Sequence, residues 1–177
     1  DYVGLKFDKA FVENIDLFKK MTVREAKIAT LMSFTVDLKE DEVLFRQGDM
    51  GREMFVLLNG KVRIYLEQGY EQTELAVLEK GATFGEMGLF RGAQRSAGAA
   101  ASVTSRMLVI NHDSLIRLRK RNPKIAAKLF LNLAMRLENL YRQTHQKMLE
   151  GLQKSGNFGT EMKGRFNRKF DDLFSGI

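Results

Sequence analysis

The stretch of sequence that decides the fold is Phe84-Gly85-Glu86-Met87-Gly88-Leu89-Phe90-Arg91-Gly92-Ala93-Gln94-Arg95-Ser96-Ala97. It places three glycines, one carboxylate, two arginines and one hydroxyl within 14 residues, and the sequence around it predicts short strands. Gly85 and Gly88 allow positive φ and a close approach of the backbone, and successive N–H groups in such a turn form an anion-binding nest. The stretch therefore predicts a tight loop that binds a small anionic ligand.

The side chains of this loop indicate which kind of anion it binds. Either Arg91 or Arg95 can fork onto a phosphate with two charge-assisted hydrogen bonds, and composition does not choose between them. Ser96 adds a donor beside Arg95. Glu86 repels a phosphate, but its carboxylate can accept a hydrogen bond from a sugar hydroxyl. Donors and an acceptor together favour a sugar phosphate.

The loop resembles the phosphate-binding cassette of the cyclic-nucleotide-binding domain family, and the resemblance extends over about residues 15–150. The residues that carry it are Phe84, Gly85, Glu86, Met87, Gly88, Leu89, Arg95, Ser96 and Ala97. The motif Gly88-Leu89-Phe90 is most similar to the corresponding motif of bacterial catabolite-activator-like sensors. The resemblance implies that Glu86 binds the ribose 2′-hydroxyl and that Arg95, rather than Arg91, binds the cyclic phosphate.

The sequence departs from the family pattern at two places in this region. Gln94 stands where many members have proline, and Gly98-Ala99 stands where many have Thr-Val. Both changes are expected to soften the strand that follows the loop.

The resemblance also implies a set of contacts to the nucleotide base. Ile64, Leu75 and Ala76 correspond to the family's base and sugar wall. Arg136 falls at the position of a base-contacting arginine. Leu140 and Tyr141 replace a threonine and a serine that touch adenine in catabolite-activator-like sensors. The implied ligand is cAMP in preference to cGMP, because the cassette is nearest to the cAMP-sensing group.

Composition excludes several classes of protein. The 177 residues are 44% hydrophobic and 29% charged, as in a soluble globular domain. Without cysteine, neither a disulfide framework nor a thiolate metal site can form. The two histidines, His112 and His145, stand alone, so the sequence predicts no metal site, no catalytic residues and no cofactor, and hence a protein that is not an enzyme. Neither a membrane-spanning run nor a signal peptide is seen in the sequence, and we expect a cytoplasmic protein.

The order of patterns predicts an α+β fold, in which N-terminal helices and a long C-terminal helix flank an antiparallel β-roll (a jelly-roll-like barrel). We expect one domain over residues 1–152, with helices in 8–33, the β-roll in 34–112 and C-terminal helices in 113–152. Three local signals sharpen this outline. Thr22 and Glu25 have capping-box spacing, Asn59-Gly60 predicts a hairpin, and Asp113 or Ser114 is expected to cap a helix. Val103 is expected in a strand.

The long helix, predicted from Pro123 to Leu152 and ended by Gly151, has an apolar seam with coiled-coil spacing. Its members are Ala126, Phe130, Leu133, Leu137 and Leu140. Two interpretations are open: the seam packs on the chain's own barrel, or it joins two copies. Resemblance to catabolite-activator-like sensors favours a homodimer through residues 123–152.

Residues 153–177 are expected to form an amphipathic basic tail. Phe158, Met162, Phe166, Phe170 and Phe174 recur every four residues, and basic residues flank them. Three interpretations are open: packing on the domain or its dimer mate, contact with a membrane or a partner groove, and disorder. The tail lacks a two-helix pattern with a tight turn, so no direct DNA binding is expected.

The function expected from the sequence is that of a cyclic-nucleotide sensor, which transmits ligand binding through its C-terminal helix to an effector protein. Three alternatives remain. The chain is the excised regulatory module of a larger enzyme, channel or transporter, a transcription regulator truncated before its DNA-reading domain, or a degenerate domain used only for protein contacts.

Overall fold

The computed structural model describes residues 8–154. The chain divides into two compact units, Asp1–Ala134 and Met135–Ile177. The first unit contains the N-terminal helices, all the strands described and the start of the long helix. The second contains the rest of that helix, and the predicted tail at 155–177 lies outside the described residues.

The N-terminal segment is helical in three short pieces. Helix α1 spans Lys9–Glu13, a 3₁₀ turn spans Asp16–Phe18, and helix α2 spans Val23–Ala29. The predicted capping box is confirmed: Thr22 Oγ1 accepts from the Glu25 N–H at 3.2 Å, and Glu25 Oε2 accepts from the Thr22 N–H at 2.8 Å. These reciprocal bonds satisfy two backbone donors and so begin α2 at Val23.

The strands are antiparallel, as the sequence predicts. They are β1 Phe34–Leu38, β2 Val43–Phe45, β3 Met50–Gly51, β4 Glu53–Asn59, β5 Val62–Gln68, β6 Glu71–Leu78, β7 Thr83–Phe84, β8 Ala93–Gln94, β9 Gly98–Ala101 and β10 Ser105–Asn111. One four-stranded sheet has the order β1-β10-β4-β7, a second has the order β2-β9-β5-β6, and β3 pairs with β8. The predicted α+β class with an antiparallel β-roll is confirmed.

The hydrophobic core is formed by side chains of both four-stranded sheets. Its buried members are Phe55, Leu57, Phe84, Met107 and Val109 from the first sheet and Val62 and Ala99 from the second. Because each sheet contributes one apolar face, the two sheets bury these faces against each other. Phe84, the first residue of the decisive stretch, is therefore anchored in the core.

The hairpin predicted at Asn59-Gly60 is wrong, although the turn itself exists. Gly60 has φ +90°, but the strands on either side lie in different sheets, since β4 pairs with β10 and β7 while β5 pairs with β6 and β9. A Cβ on Gly60 would lie 2.6 Å from the Cα of Ser105. The glycine thus permits a close crossing between sheets. Val103, also predicted in a strand, lies in the bend between β9 and β10.

Two helices follow the strands. Helix α3 spans His112–Arg121, and its cap is Asn111 rather than Asp113 or Ser114, because Asn111 Oδ1 accepts from the Ser114 N–H at 2.8 Å. Helix α4 spans Pro123–Lys154 and continues through Gly151, where the sequence predicts its end. A single glycine costs a helix only about 1 kcal/mol relative to alanine, and α4 tolerates it. None of the helices within residues 8–154 is long and apolar enough to cross a membrane.

Within the first unit, helix α4 is fastened to the N-terminal segment. Asn132 Nδ2 donates to the carbonyls of Leu17 at 2.9 Å and Lys19 at 2.7 Å. Lys128 Nζ lies 2.7 Å from Glu25 Oε1, and its hydrogen bond lowers the pKa of Glu25. Ala126, Leu129 and Leu133 are buried on the same part of the helix. The first half of the predicted seam therefore packs within its own chain.

Candidate functional site

The loop after β7 has the tight form that its glycines predict. Gly85 adopts φ +77°, and a 3₁₀ turn over Glu86–Gly88 follows it directly. The Leu89 N–H donates to the Glu86 carbonyl at 3.1 Å, and the Gly92 N–H donates to the Gly88 carbonyl at 3.0 Å. These bonds close the loop before β8 begins.

Gly88 and Gly51 are required for space rather than for backbone conformation. A Cβ on Gly88 would lie 2.6 Å from the Gly51 carbonyl oxygen, and one on Gly51 would lie 2.3 Å from Arg95 Cζ. Side chains at either position would push the loop away from β3 or displace the guanidinium. The two glycines therefore bring the loop, β3 and Arg95 into contact.

Arg95 is the most constrained cation described in this region. Its side chain is only 5% exposed. Nη1 donates to the carbonyls of Glu53 and Gly85, both at 2.9 Å, and Nη2 donates to Glu53 Oε2 at 3.2 Å. The backbone of Arg95 is held as well, because its N–H donates to the Asp49 carbonyl at 2.8 Å.

Aromatic rings form the floor beneath this guanidinium. Arg95 Cζ lies 4.4 Å from the ring centroid of Phe45 and 5.5 Å from that of Phe55. Phe84 stacks on Phe55 with centroids 5.4 Å apart. Burial lowers the pKa of Arg95, and the carboxylates of Glu53, Asp49 and Glu86 oppose that shift. The guanidinium is thus a fixed, charged donor.

Two polar atoms of the site are buried without a hydrogen-bond partner among the described residues: Arg95 Nε and Glu86 Oε2. Glu86 is 5% exposed and Arg95 is 6% exposed. An unpaired buried donor or acceptor costs about 1–3 kcal/mol. The site therefore contains a guanidinium N–H donor and a carboxylate oxygen acceptor, neither of which has a hydrogen-bond partner among the described residues.

The other loop residues predicted to bind ligand line the same segment with different exposure. Gly85 is half-buried and Gly88 buried beside Arg95, whereas Met87 is 69% exposed. Ser96 is exposed and Ala97 half-buried immediately after Arg95. Arg91 is exposed, unlike Arg95. The structure thus separates the two arginines that composition alone leaves equivalent.

The three residues predicted for the base and sugar wall lie together on β5 and β6. Ile64 is paired directly with Ala76, and Leu75 sits at an irregularity of the register, because Tyr65 is paired with Glu74. Leu75 is 53% exposed, while Ile64 packs against the core cluster. The bulge turns an apolar side chain outward beside the Ile64–Ala76 pair.

The two helix residues predicted to contact the base belong to the second unit. Arg136 is half-buried and Leu140 is 38% exposed there. Their role toward a ligand held by the first unit stays a prediction.

The loop is connected to both C-terminal helices within the first unit. The Phe90 ring lies 6.1 Å from the Phe130 ring of α4, centroid to centroid. His112 Nδ1, at the start of α3, donates to the Leu89 carbonyl at 2.9 Å, and the His112 N–H donates to the Arg52 carbonyl at 3.0 Å. The loop therefore contacts helices α3 and α4 within the first unit.

Sequence reasoning missed the residues that hold Arg95 in place. Glu53, Gly51, Phe45 and Phe55 come from β2, β3 and β4, about 40 to 50 residues before it along the chain. The sequence carries one signal for them, the glycine Gly51 two residues before β4, but that signal does not indicate which residue packs against it.

Gly98, a departure from the family pattern, has a packing reason. It is paired with Tyr65 across β9 and β5, and a Cβ on Gly98 would lie 2.4 Å from Tyr65 Cζ. Tyr65 is fully buried, and Arg63 lies over its ring at 4.8 Å. The Tyr65 ring fills the space that a side chain at position 98 would need, so Gly98 allows β9 and β5 to pack closely.

Within residues 8–154, no cluster of histidine, aspartate or glutamate side chains is arranged to hold a metal ion. The polar side chains of the loop are those of Glu86, Arg95 and Ser96, together with the exposed Arg91 and Gln94.

The chain is similar in sequence to proteins of known family. The chain matches the family model of the cyclic nucleotide-binding domain over residues 35–122. It is 36% identical to the cyclic AMP receptor protein of Thermus thermophilus over 95 residues, which cover 53% of this chain and 44% of that protein. It is 31% identical to the cGMP-dependent protein kinase of Plasmodium berghei over 99 residues, which cover 55% of this chain and 11% of the kinase.

A solved structure is similar over a longer range. A cyclic nucleotide-binding domain from Methylobacillus flagellatus superposes with a TM-score of 0.70 at 25% identity and covers 80% of each chain. The chain spans less than half the length of the two curated relatives. The matched range runs from β1 to the end of α3 and includes the loop with Glu86 and Arg95. The chain therefore belongs to the cyclic nucleotide-binding domain family.

Proposed function

We propose that the chain is a non-enzymatic cAMP sensor that reports ligand binding through helix α4. The observation that carries this proposal is the pair of buried, unpartnered atoms in the loop, Arg95 Nε and Glu86 Oε2. A phosphate oxygen accepts from the first and a ribose 2′-hydroxyl donates to the second. A cyclic nucleotide supplies both groups in one rigid ligand.

The geometry of the guanidinium supports phosphate binding by one edge. Nε–H and Nη2 lie on the same edge of an arginine, and this edge forms the fork that matches two phosphate oxygens. The Glu53 and Gly85 carbonyls occupy Nη1 on the other side. Arg95 is therefore oriented before a ligand arrives, which reduces the entropy lost on binding.

For the base, we propose cAMP with a margin over cGMP of less than about tenfold, or 1.4 kcal/mol. The sequence of the cassette favours adenine, while Leu140 and Tyr141 replace the threonine and serine whose hydroxyls would pair with it. The phenolic hydroxyl of Tyr141 is still able to donate. Ile64, Leu75 and Ala76 offer an apolar wall that either base can contact.

Transmission is proposed to follow contacts of the first unit. The ring contact between Phe90 and Phe130 joins the loop to α4, and Asn132 and Lys128 join α4 to the N-terminal segment. A ligand that prefers one arrangement of loop and helix shifts the population toward that arrangement. An effector protein that contacts α4 would read the shift.

The test of the proposed function is a calorimetric titration with cAMP, cGMP and 2′-deoxy-cAMP. We expect cAMP to bind, cGMP to bind within tenfold of it, and the deoxy ligand to bind at least about tenfold more weakly. The deoxy ligand leaves the buried Glu86 oxygen without a donor, and that penalty is about 1–3 kcal/mol. Glu86→Gln should narrow the difference between ribo and deoxy ligands.

Two outcomes would contradict this prediction. Equal affinity for the ribo and deoxy ligands removes the role proposed for Glu86, and an absence of binding for every cyclic nucleotide removes the proposed function. Glu79→Gln, which removes the same charge from an exposed ion pair with Lys61, serves as the control.

We also propose that the second unit forms a homodimer contact. Its helical part exposes several large apolar side chains: Met135, Leu140, Tyr141 and Met148. A single helix cannot bury such residues by itself, whereas the same helix of a second copy can. The proposed contact excludes Ala126 and Leu133, because both are buried within the first unit.

The expected result is a dimer of the wild-type chain in size-exclusion chromatography with light scattering. Tyr141→Glu combined with Met148→Glu places two charges seven residues apart on one face of the helix and should give a folded monomer. Gln143→Glu with Gln146→Glu adds the same charge at exposed polar positions and should leave the dimer intact. A monomeric wild type would end the dimer proposal.

A second candidate function is that of a regulatory module within a larger protein, since the match to the kinase covers only 11% of that relative. The mass of the intact protein from its source cell distinguishes the two. The degenerate-domain alternative rests on Gly98 and on Leu140 with Tyr141, and the packing of Gly98 against Tyr65 offers a different reason for that glycine.

A further inference from the structure

Arg95, in the proposed phosphate site, forms an ion pair with Glu53. Glu53 belongs to β4 and lies outside the loop that carries Glu86 and Arg95. Glu53 contacts Arg95 twice, through its carbonyl at 2.9 Å and through Oε2 at 3.2 Å. Glu53 Oε2 also accepts from the Arg52 N–H at 3.0 Å, which fixes the carboxylate on β4. Its side chain is 40% exposed, whereas that of Arg95 is 5% exposed.

The charges around Arg95 are unbalanced for a site that binds an anion. One guanidinium faces three carboxylates, those of Glu53, Asp49 and Glu86, and each of them acts on its pKa. Glu86 is the proposed acceptor for the ribose 2′-hydroxyl, and Asp49 Oδ2 accepts from the Arg46 N–H at 2.7 Å. Glu53 is the carboxylate that bonds to the nitrogen Nη2, on the edge proposed for phosphate.

We propose that Glu53 is an internal counter-anion that limits the affinity of the site for a phosphate-bearing ligand. This inference rests on the proposed function. A phosphate bound to Nε and Nη2 shares Nη2 with the Glu53 carboxylate, so two negative charges lie against one guanidinium. Their repulsion weakens binding, and the partly exposed position of Glu53 makes the repulsion sensitive to salt.

Glu53→Gln separates the charge from the hydrogen bond, because glutamine keeps an acceptor for Nη2 and has no charge. We expect this variant to bind cAMP about tenfold more tightly than wild type at low salt, with a smaller gain at high salt. Glu79→Gln should leave the affinity unchanged. In the Arg95→Gln background, Glu53→Gln should give no comparable gain, since the repulsion acts across the shared guanidinium.

The experiment is a calorimetric titration of wild type, Glu53→Gln, Glu79→Gln, Arg95→Gln and the double variant Arg95→Gln/Glu53→Gln with cAMP, and separately with inorganic phosphate. If wild type binds cAMP and Glu53→Gln binds it equally or more weakly, the inference is overturned and the proposed function stands. If cAMP binds to neither but Glu53→Gln binds phosphate more tightly, the inference stands and the proposed function fails. If neither ligand binds to any variant, both are overturned.

Discussion

Arg95→Ala is expected to weaken cAMP binding by at least about tenfold, because a charge-assisted hydrogen bond contributes about 1.5–3 kcal/mol. Arg95→Lys should recover little of this, since an ammonium group cannot form the two-point fork. Arg91→Ala should have little effect, because Arg91 is exposed. Calorimetry with cAMP measures all three affinities, and an unchanged value for Arg95→Ala would remove Arg95 from the site.

The same substitution should also destabilise the fold. Without Arg95, the carbonyls of Glu53 and Gly85 lose a shared donor and the Phe45 ring loses its cation. We expect the melting temperature to fall by several degrees, as a loss of about 1–3 kcal/mol would do in a domain of this size. Affinities must therefore be measured well below the melting temperature of the variant, with circular dichroism as the check that it is folded.

The loop and its glycines could be predicted from the sequence because their chemistry is local. Gly85, Glu86 and Arg95 lie within eleven residues, and the positive φ of Gly85 follows from the turn alone. The contacts that hold Arg95 could not be predicted in this way. Glu53 lies 42 residues away in sequence, and its partnership with Arg95 is fixed only when β4 pairs with β7 and β3 with β8.

Two wrong or incomplete predictions have the same physical origin. Asn59-Gly60 specifies a reversal of the chain, but whether the two strands pair depends on the sheets that they join. The seam of α4 specifies an apolar face, but not what covers it. Ala126 and Leu133 are covered within the first unit, so Leu133→Glu would place a charge in the core and would not test dimer formation.

The pair formed by Gly98 and Tyr65 leads to an expectation opposite to that from the family pattern. Gly98→Thr restores the residue that many members carry, and glycine within a strand usually weakens it. In this chain, however, the new Cβ would lie 2.4 Å from Tyr65 Cζ and 2.8 Å from Tyr65 Oη. Real side chains do not approach so closely, so the ring or strand β9 must move.

We therefore expect Gly98→Thr to destabilise the protein by about 3 kcal/mol, at the upper end of overpacking substitutions. For a domain of this length, that corresponds to a fall in melting temperature of about 6–12 °C. Tyr65→Val should be destabilising alone, because it empties a fully buried site. Combined with Gly98→Thr, it should cost less than the sum of the two, because the valine leaves room for the threonine.

Thermal unfolding of the wild type, both single variants and the double variant measures this coupling directly. A double variant whose loss of stability is smaller than the sum of the two single losses by about 1 kcal/mol or more would support the close pairing of Gly98 with Tyr65. Additive losses, or a Gly98→Thr variant as stable as wild type, would contradict it. In that case Gly98 would be explained only as a departure from the family's Thr-Val that softens the strand after the loop. That outcome would favour the alternative of a degenerate domain that binds no ligand.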